Sequence, residues 1–309
     1  MFGTIVKRIL QGILVLVLVV IITFVVLRLI PGDPARQMAS DGSAQAVEEI
    51  RAEMGLDKPI YVQLFEYIPK LLTGQLGWSY FQKAPVFDVI VNTAPFTYAL
   101  LFSAMILGVI MGLIFGIIAA VKAHTWVDRT LSAIAVVFQS MPTYWVATML
   151  ILIVSVQWGL LPAVGYKSPK YLILPAFVVS IPIFTAVLRN VRQNVMDGLS
   201  QEFSRAARAR GISHITILFK YAFRNSLIPF ITQIGGQVGV SLGTCVLIES
   251  VFSLPGMGMQ ILNAVLRRDY NLVQGLILIL AATFVLINAI IDISYSYLDP
   301  RIRKAQGGL

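Results

Sequence analysis

Six long apolar runs constrain the fold of this 309-residue chain more than any other feature of its sequence. A helix needs about 20 apolar residues to cross the hydrocarbon core of a bilayer, and each run approaches or exceeds that length. The runs are continuous rather than alternating, which excludes barrel strands and predicts an all-α polytopic membrane protein with six transmembrane helices. They occupy residues 9–29, 94–121, 131–157, 171–188, 226–249 and 273–297.

Composition and charge support a membrane protein. Charged residues make up 13% of the chain and hydrophobic residues 57%, whereas soluble domains have roughly 25% charged residues. The net charge is +9, but the basic residues lie in short loops beside the runs, which indicates anionic lipid and membrane topology rather than nucleic acid. Cys245 and the two histidines, His124 and His214, lie in separate segments, so they cannot form a disulfide framework or a metal site.

The distribution of basic residues predicts that both termini are cytoplasmic. Lys7 and Arg8 precede the first run, which is too long for a signal peptide and lacks a small-residue cleavage site, so we expect it to remain as an anchor. This orientation places fourteen of the 24 basic residues on the cytoplasmic side, as the positive-inside rule requires. The predicted regions are an N-terminal transmembrane helix (1–30), an extracytoplasmic helical insert (31–93), a five-helix core (94–297) that includes a cytoplasmic loop (199–229), and a cytoplasmic tail (298–309).

The insert after the first run is acidic, in contrast to the rest of the chain. Residues 31–94 hold eight acidic and five basic residues, a net charge of −3. Such a small segment cannot hold a large core of its own, so we expect a helical cap that rests on the outer ends of the spans. Start and stop signals predict helices over Ser43–Met54 (ended by Gly55), Pro59–Leu72 (ended by Gly74) and Pro85–Val91.

Two features within the spans predict close packing and bending. Gly108, Gly112 and Gly116 recur at every fourth position, a pattern that lets membrane helices approach closely, although glycine is also common in membrane helices without such a role. Pro142 interrupts the third run, and proline removes a backbone donor and bends a helix. We therefore expect a close contact along the second span and a kink in the third.

The segment from Leu199 to Pro229 combines basic charge with helical spacing of its small and apolar residues. Its alanines favour helix, Gly211 is placed to end a first helix, and Ile215–Tyr221 begins a second, amphipathic helix along the bilayer. Alanines offer a flat docking surface, and arginines offer charge-assisted hydrogen bonds at its edge. The alternative is a basic loop that only binds lipid headgroups. The predicted docking residues are Glu202, Arg205, Ala206, Ala207, Arg208, Ala209 and Gly211.

The fifth span carries a polar stripe on one side and glycines on the other. Polar side chains in a membrane face the protein interior or a watery path, so we expect the stripe to line a translocation pathway. We expect the glycines, Gly235, Gly239 and Gly243, to pack on a neighbouring helix. Hydrogen bonding between helices without any pore is the alternative. The stripe spans about 80° of the helix surface and consists of Gln233, Gln237, Ser241 and Thr244.

The chain lacks the signatures of catalysis and nucleotide binding. It has no G-x-x-x-x-G-K-[ST] loop to hold phosphates, and it is not predicted to be an enzyme. Two acidic residues, Asp292 and Glu249, are candidate functional residues because burying a charge in a membrane is costly. We expect Glu249 to be solvated, since it lies close to the outer interface. Two transporter classes remain, the membrane part of a pump with a separate ATPase and a secondary carrier driven by ion gradients. A carrier usually shows inverted repeats and midplane ionisable residues, which are weak here, and an intramembrane enzyme ranks third.

Ten short motifs, in their order and spacing, resemble the permease subunits of bacterial ABC importers of the oligopeptide, dipeptide and nickel family. The resemblance covers nearly the whole chain; each motif is weak alone, but the set is highly specific. The motifs are IPGDP (30–34), GLDKPIYVQ (55–63), GQLGWSY (74–80), S-x-P (140–142), LILPA (172–176), RAARARG (205–211), RNSLIP (224–229), E-x-V-F-x-x-P-G-x-G (249–258), RRDY (267–270) and LDPRIR (298–303).

The resemblance implies a type I ABC importer permease fold, in which a short cytoplasmic coupling helix enters a groove on the ATPase. The general importer pattern E-A-A-x-x-x-G aligns with Arg205-Ala206-Ala207 and Gly211, so arginine replaces the glutamate of that pattern. The proline that follows also comes later, at Pro229. Both departures are typical of the peptide-permease subfamily.

The resemblance also implies the partners and the location. These are a second permease subunit, usually not identical, two cytoplasmic ATPases that bind ATP and magnesium, an extracytoplasmic substrate-binding protein, and the lipid of the bacterial inner membrane. No cofactor is expected in this chain. The insert is a candidate contact for the binding protein, with capping of the outer mouth as an equal alternative. The solute is expected to be a peptide, nickel or a metal chelate, glutathione or an opine, among which the sequence does not choose.

Overall fold

The computed structural model describes residues 2–39 and 43–298, most of which are helical. A two-stranded antiparallel hairpin, β1 (Trp78–Ser79) and β2 (Ala84–Pro85), lies between α4 and α5. The helices are α1 (Phe2–Leu29), α2 (Pro34–Met38), α3 (Ala44–Glu53), α4 (Ile60–Leu72), α5 (Val86–Val121), α6 (Trp126–Ser140), α7 (Thr143–Leu150), α8 (Ile173–Ser200), α9 (Glu202–Ala209), α10 (His214–Thr216), α11 (Arg224–Val251), α12 (Met257–Leu266) and α13 (Tyr270–Leu298). The predicted tail lies outside the described residues.

The chain forms two compact units. The first, called the core unit here, contains Tyr98–Leu254 with residues 2–5 and 287–298, and the second, the insert unit, contains Val6–Thr97 and Pro255–Leu286. In the core unit, α8 is the most buried of the long apolar helices, and α6, α7 and α11 pack against it. A central helix with helices around it therefore organises this unit.

Five described helices are long and apolar enough to cross a membrane, and the bent pair Trp126–Ser140 and Thr143–Gln157 makes six if it is counted as one span. The predicted third span is not one kinked helix, because α6 ends at Ser140, α7 begins at Thr143, and the two are bent by 100°. A residue before proline is pushed out of the helical region, and Met141 is extended, with φ −83° and ψ 134°. Pro142 therefore breaks the third span at the predicted position, and the break is a helix end followed by a new helix rather than a kink in one continuous helix.

The second span begins earlier than predicted. Val86 starts α5, which continues to Val121 and includes Pro95. The prediction of a separate helix over Pro85–Val91 is therefore wrong, because these residues join β2 directly to the first turns of the span. Pro85 is a good residue to precede a helix, since its fixed φ is already close to the helical value.

The three glycines of α5 form the close contact that their spacing predicts. Cβ atoms built on Gly108, Gly112 and Gly116 would lie only 2.8–3.1 Å from backbone carbonyl oxygens of α8. Those oxygens also recur at every fourth residue and belong to Ser180, Phe184 and Leu188. The two helices therefore meet backbone to backbone, which only glycine permits.

Two helices of the insert form as the sequence predicts. Ser43 caps α3 by accepting a hydrogen bond from the Ala46 N–H (3.1 Å), and Gly55 follows the helix with a φ of +64°. Helix α4 ends at Leu72, and Gly74 reverses the chain with a φ of +77°. Both glycines adopt the left-handed conformation that other residues avoid.

A buried carboxylate ties the hairpin to a loop 190 residues away in the sequence. Asp269 accepts hydrogen bonds from the Ser79 hydroxyl (2.7 Å) and the Phe81 N–H (3.0 Å), and it caps α13 by accepting from the Leu272 N–H (3.2 Å). Asn271 adds a bond to the Trp78 carbonyl oxygen (3.1 Å). The GQLGWSY and RRDY motifs are therefore joined by hydrogen bonds within the insert unit. The three donors to the Asp269 carboxylate compensate the burial of its charge.

Candidate functional site

One face of α9 is sealed against the core unit. Ser204 is fully buried and donates a hydrogen bond to the Gly198 carbonyl oxygen (2.7 Å), near the end of α8. Ala207 is 5% exposed, and the Phe203 ring stacks on the Tyr221 ring with centroids 6.5 Å apart. These contacts fix α9 on α8 and on the π-helical turn Ile217–Phe223.

The end of α9 follows the prediction. Gly211 has a φ of +76°, and a Cβ atom there would meet nothing within 4 Å, so the backbone conformation rather than space selects glycine. The Gly211 N–H bonds to the Arg208 carbonyl oxygen (3.0 Å) and the Ile212 N–H to that of Ala207 (3.2 Å). This pair of bonds is a Schellman motif, which satisfies the last carbonyl groups of the helix.

The opposite face of α9 is open to solvent and combines two charges with two alanines. Among the described side chains, neither Glu202 nor Arg205 has an ion-pair partner. Alanine side chains keep the helix surface low between the two charges, which suits a contact with a second protein. The open face consists of Glu202, Arg205, Ala206 and Ala209, at helical spacings of three, four and seven residues.

Two of the predicted docking residues hold α9 in place instead. The prediction that Ala207 forms part of an exposed docking surface is wrong, because Ala207 is buried against the rest of the core unit. Arg208 is exposed, but its Nη2 donates to the Leu199 carbonyl oxygen (3.0 Å) and so caps the end of α8. The alanines favour a helix, but the contacts of α9 with Gly198 and Tyr221 decide which alanines face solvent.

The predicted second helix does not end before the membrane span. Ser213 accepts a hydrogen bond from the Thr216 N–H (3.4 Å) and starts α10. A π-helical turn over Ile217–Phe223 then leads into α11 without a break. The second helix therefore begins where the sequence predicts, but it is continuous with the membrane span and not separate from it. This turn packs closely on α8, since a Cβ atom on Gly198 would lie 2.9 Å from the Ala222 Cα.

An ion pair between Asp128 and Arg192 joins α6 to α8. Arg192 donates from Nε and Nη2 to the two oxygens of Asp128, at 2.5 and 2.7 Å. Asp128 is buried and also accepts from the His124 N–H (3.0 Å). This pair could not be predicted from the sequence, because no local pattern links positions 64 residues apart.

The polar stripe of α11 is divided between two environments. Gln233, Gln237 and Thr244 are half-buried, whereas Ser241 is 2% exposed and its hydroxyl contacts the Met105 sulfur at 3.8 Å. The Thr244 hydroxyl donates to the Val240 carbonyl oxygen of its own helix (2.9 Å). The stripe therefore lies along the border of the buried face, and Ser241 belongs to the packed side.

The glycines of α11 do not form one packing face. A Cβ atom on Gly235 would lie 3.2 Å from Ile291 of α13, as expected for a helix contact, but one on Gly243 would meet nothing within 4 Å. The same is true of Gly236, which is not one of the predicted packing glycines. Gly236 and Gly243 are seven residues apart and lie on the same exposed side of the helix. The prediction that Gly243 packs on a neighbouring helix of the chain is wrong.

The remaining candidates are acidic. Glu249 is fully buried, so the expectation that it is solvated is wrong. Asp292 lies within α13, among residues whose side chains are not described. In the described part of the chain, no three His, Cys, Asp or Glu side chains come together as a metal site would require.

Comparison with known proteins relates almost the whole chain to membrane transport components. A family model described as "Binding-protein-dependent transport system inner membrane component" matches residues 112–304, and a model for the N-terminal part of such components matches residues 1–101. The chain is 37% identical over 304 residues to the glutathione transport system permease protein GsiC of Escherichia coli O6:H1, covering 98% of this chain and 99% of GsiC. It is 36% identical over 312 residues, with the same coverage, to a Brucella abortus protein whose name assigns it as permease to a peptide transport system.

Solved structures share the fold at lower identity. A chain from the MetNI methionine ABC transporter, in an inward-facing crystal form, matches with a TM-score of 0.57 and 20% identity, covering 70% of this chain and 98% of that chain. A second crystal form of MetNI matches with a TM-score of 0.60 and 17% identity over the same shares.

Proposed function

The chain belongs to the family of binding-protein-dependent transport system inner membrane components, and we propose that it forms, with a second permease, the passage for a peptide or a glutathione-like solute. It is a permease subunit of an ABC importer with the type I permease fold. The names of its relatives support the solute class, since they refer to glutathione and peptide transport. This assignment favours an ATP-driven importer over a carrier driven by ion gradients.

Energy enters the chain, in this proposal, at the open face of α9. Two ATPase subunits outside this chain bind ATP and magnesium, and one of them seats on Glu202, Arg205, Ala206 and Ala209. The observation that carries the proposal is the two-sided character of α9. Its inner face is fixed to α8 by Ser204 and Ala207, so a push on its outer face is transmitted to the central helix of the core unit.

The exposed side of α11 is the proposed wall of the passage. Gln233, Gln237 and Thr244 lie at its edge, and Gly236 and Gly243 leave room beside them. Amide side chains can bond a peptide backbone without fixing its sequence, which suits a path whose selectivity is set elsewhere. The second permease, expected to be similar but not identical, would close the other side of the passage.

The proposed orientation places both termini, α9 and the 122–129 loop in the cytoplasm. The insert, residues 31–93, then lies outside the cell membrane, where a substrate-binding protein delivers the solute. The basic character of α9 and of the loop before α6 supports this orientation, because short cytoplasmic loops carry the excess of Lys and Arg.

Bulky substitutions on the open face of α9 test the docking proposal. Ala206→Trp and Ala209→Trp should abolish copurification of the ATPase with the tagged chain from membranes that contain the whole system, and uptake should be lost with it. The amount of chain in the membrane should stay unchanged, because both positions are exposed. Normal ATPase recovery with both variants would contradict docking on α9 without touching the family assignment.

Two further variants make this test specific. Lys167→Trp places the same side chain at an exposed position that precedes the first residue of α8, whereas α9 follows the last residue. This variant should leave ATPase recovery normal. Ala207→Trp should instead displace α9 from its seat, because this position is buried. A loss of ATPase from Ala207→Trp alone would therefore show only that the seat matters.

A further inference from the structure

Helix α4 of the insert unit carries an exposed apolar ridge. Tyr61, Phe65 and Leu72 are 66%, 73% and 83% exposed. Their spacings of four and seven residues place them within about 40° of one another on the helix surface. The charged residues of α4, Glu66 and Lys70, lie on a different side, where Lys58 pairs with Glu66 (2.6 Å). Large apolar side chains aligned in this way mark a contact surface rather than scattered exposure.

The inner face of α4 is fixed to the end of the first span. Arg28 Nε donates to Gln63 Oε1 (2.7 Å), and the Tyr67 and Phe24 rings have centroids 5.7 Å apart. Tyr67 is half-buried in this contact. The ridge therefore lies on the side of α4 that faces away from α1.

The order of these two contacts sets the depth of α4. Along α1 they move from Arg28 back to Phe24, while along α4 they move forward from Gln63 to Tyr67, so the helices run antiparallel where they touch. Phe24 lies in the span Val6–Leu29, about 7.5 Å before its end at 1.5 Å per residue. Helix α4 therefore descends beside the last turns of α1, at the depth where headgroups give way to acyl chains.

We propose that α4 dips into the outer leaflet and that Tyr61, Phe65 and Leu72 contact lipid. The side chains follow the polarity of that environment, because Tyr61 lies at the shallow end, where aromatic residues with a polar tip are enriched, and Leu72 at the deepest point. The inference goes beyond the proposed transport function and does not depend on docking at α9; the orientation proposed above only decides which leaflet is involved.

Site-directed spin labelling tests this placement. The chain has one cysteine, so Cys245→Ala gives a background in which single cysteines are introduced by Tyr61→Cys, Phe65→Cys and Leu72→Cys. The full chain is labelled and reconstituted in vesicles of phosphatidylethanolamine and phosphatidylglycerol. Power saturation then compares collisions with oxygen, which concentrates in lipid, and with a water-soluble nickel chelate. The ratio of oxygen to nickel collisions should rise in the order 61, 65, 72.

Two reference positions make each outcome decisive. Ile22→Cys labels an exposed residue inside the first span and reports lipid, and Glu66→Cys labels the polar side of α4 and reports water. Ratios at positions 65 and 72 close to that of position 22, and several-fold above that of position 66, support the inference. Ratios like that of position 66 would place the ridge in water, and low collision rates with both reagents would show a protein covering it; either result overturns the inference.

Discussion

Helices α5 and α11 of the core unit both carry glycines at helical spacing, but the chain fills the space beside only one of the two series. On α5, Cβ atoms at the three glycine positions would lie within 2.8–3.1 Å of carbonyl oxygens of α8. On α11, Cβ atoms on Gly236 and Gly243 would have nothing within 4 Å. The same residue type therefore serves a close contact in one helix and an open, low surface in the other.

The difference separates the part of the core unit that is complete within one chain from the part that faces outward. Around α8, the glycine ridge of α5 and the Asp128–Arg192 pair close the packing. On α11, Val240 and Leu247 share the exposed side with the two open glycines. In the proposed transporter, a solute or a second permease occupies this side, so changes there should affect transport more than folding.

The largest expected effect on stability comes from adding a side chain to one of the α5 glycines that pack on α8. Gly108→Val should lower the free energy of unfolding by about 3 kcal/mol, because its Cβ would lie 2.7 Å from the Ile183 Cβ and 2.8 Å from the Ser180 carbonyl oxygen, so α5 and α8 must separate. Thermal unfolding of the purified chain in detergent measures the change.

The same substitution on α11 is the matched control. Gly243→Val should change the free energy of unfolding by less than about 0.5 kcal/mol, as is usual for exposed positions away from special features. Equal losses for the two variants would remove the distinction between a closed and an open series.

A smaller loss is expected from the ion pair that closes α6 on α8. Asp128→Asn keeps the shape of the side chain but leaves Arg192 without a counter-charge, which should cost about 1–2 kcal/mol. Asp197→Asn is the control, since Asp197 is exposed and its carboxylate accepts only from Gln193 of its own helix among the described contacts (3.0 and 3.1 Å). The same unfolding measurement applies, and similar stabilities of the two variants would mean that the buried pair contributes little to the packing around α8.

The smallest effect on stability, but a clear one on transport, is expected on the open side. Gln237→Leu should reduce uptake several-fold while ATPase copurification and thermal stability stay normal, because the amide is half-buried beside the open glycines. Ser241→Ala should leave uptake nearly unchanged, since its hydroxyl faces the Met105 sulfur inside the packing. Equal effects of the two substitutions on uptake would argue that the stripe acts only in packing.

Much of the architecture and part of the α9 site could be predicted from the sequence, because the signals are local. Long apolar runs identify the spans, and the glycines at positions 55, 74 and 211 end helices through a backbone conformation that other residues avoid. The family motifs identify the segment that contains α9. What these signals could not give is the rotation of α9, which buries Ala207 and exposes Ala206 and Ala209.

Contacts between residues far apart in the sequence could not be predicted either, because the signals used are local. The GQLGWSY and RRDY motifs are evident in the sequence, but only the fold brings Asp269 to Ser79 and Phe81. The pairing of Asp128 with Arg192 and the descent of α4 along α1 are likewise set by contacts between distant segments.

By itself, the sequence determined a helical membrane protein with an acidic insert and a basic segment between two spans, because apolar run length, charge and turn residues act on their immediate surroundings. Tertiary structure alone decided which glycines are covered and which alanine is buried. Those outcomes depend on the few ångströms between neighbouring backbones, and no single segment of the chain encodes that distance.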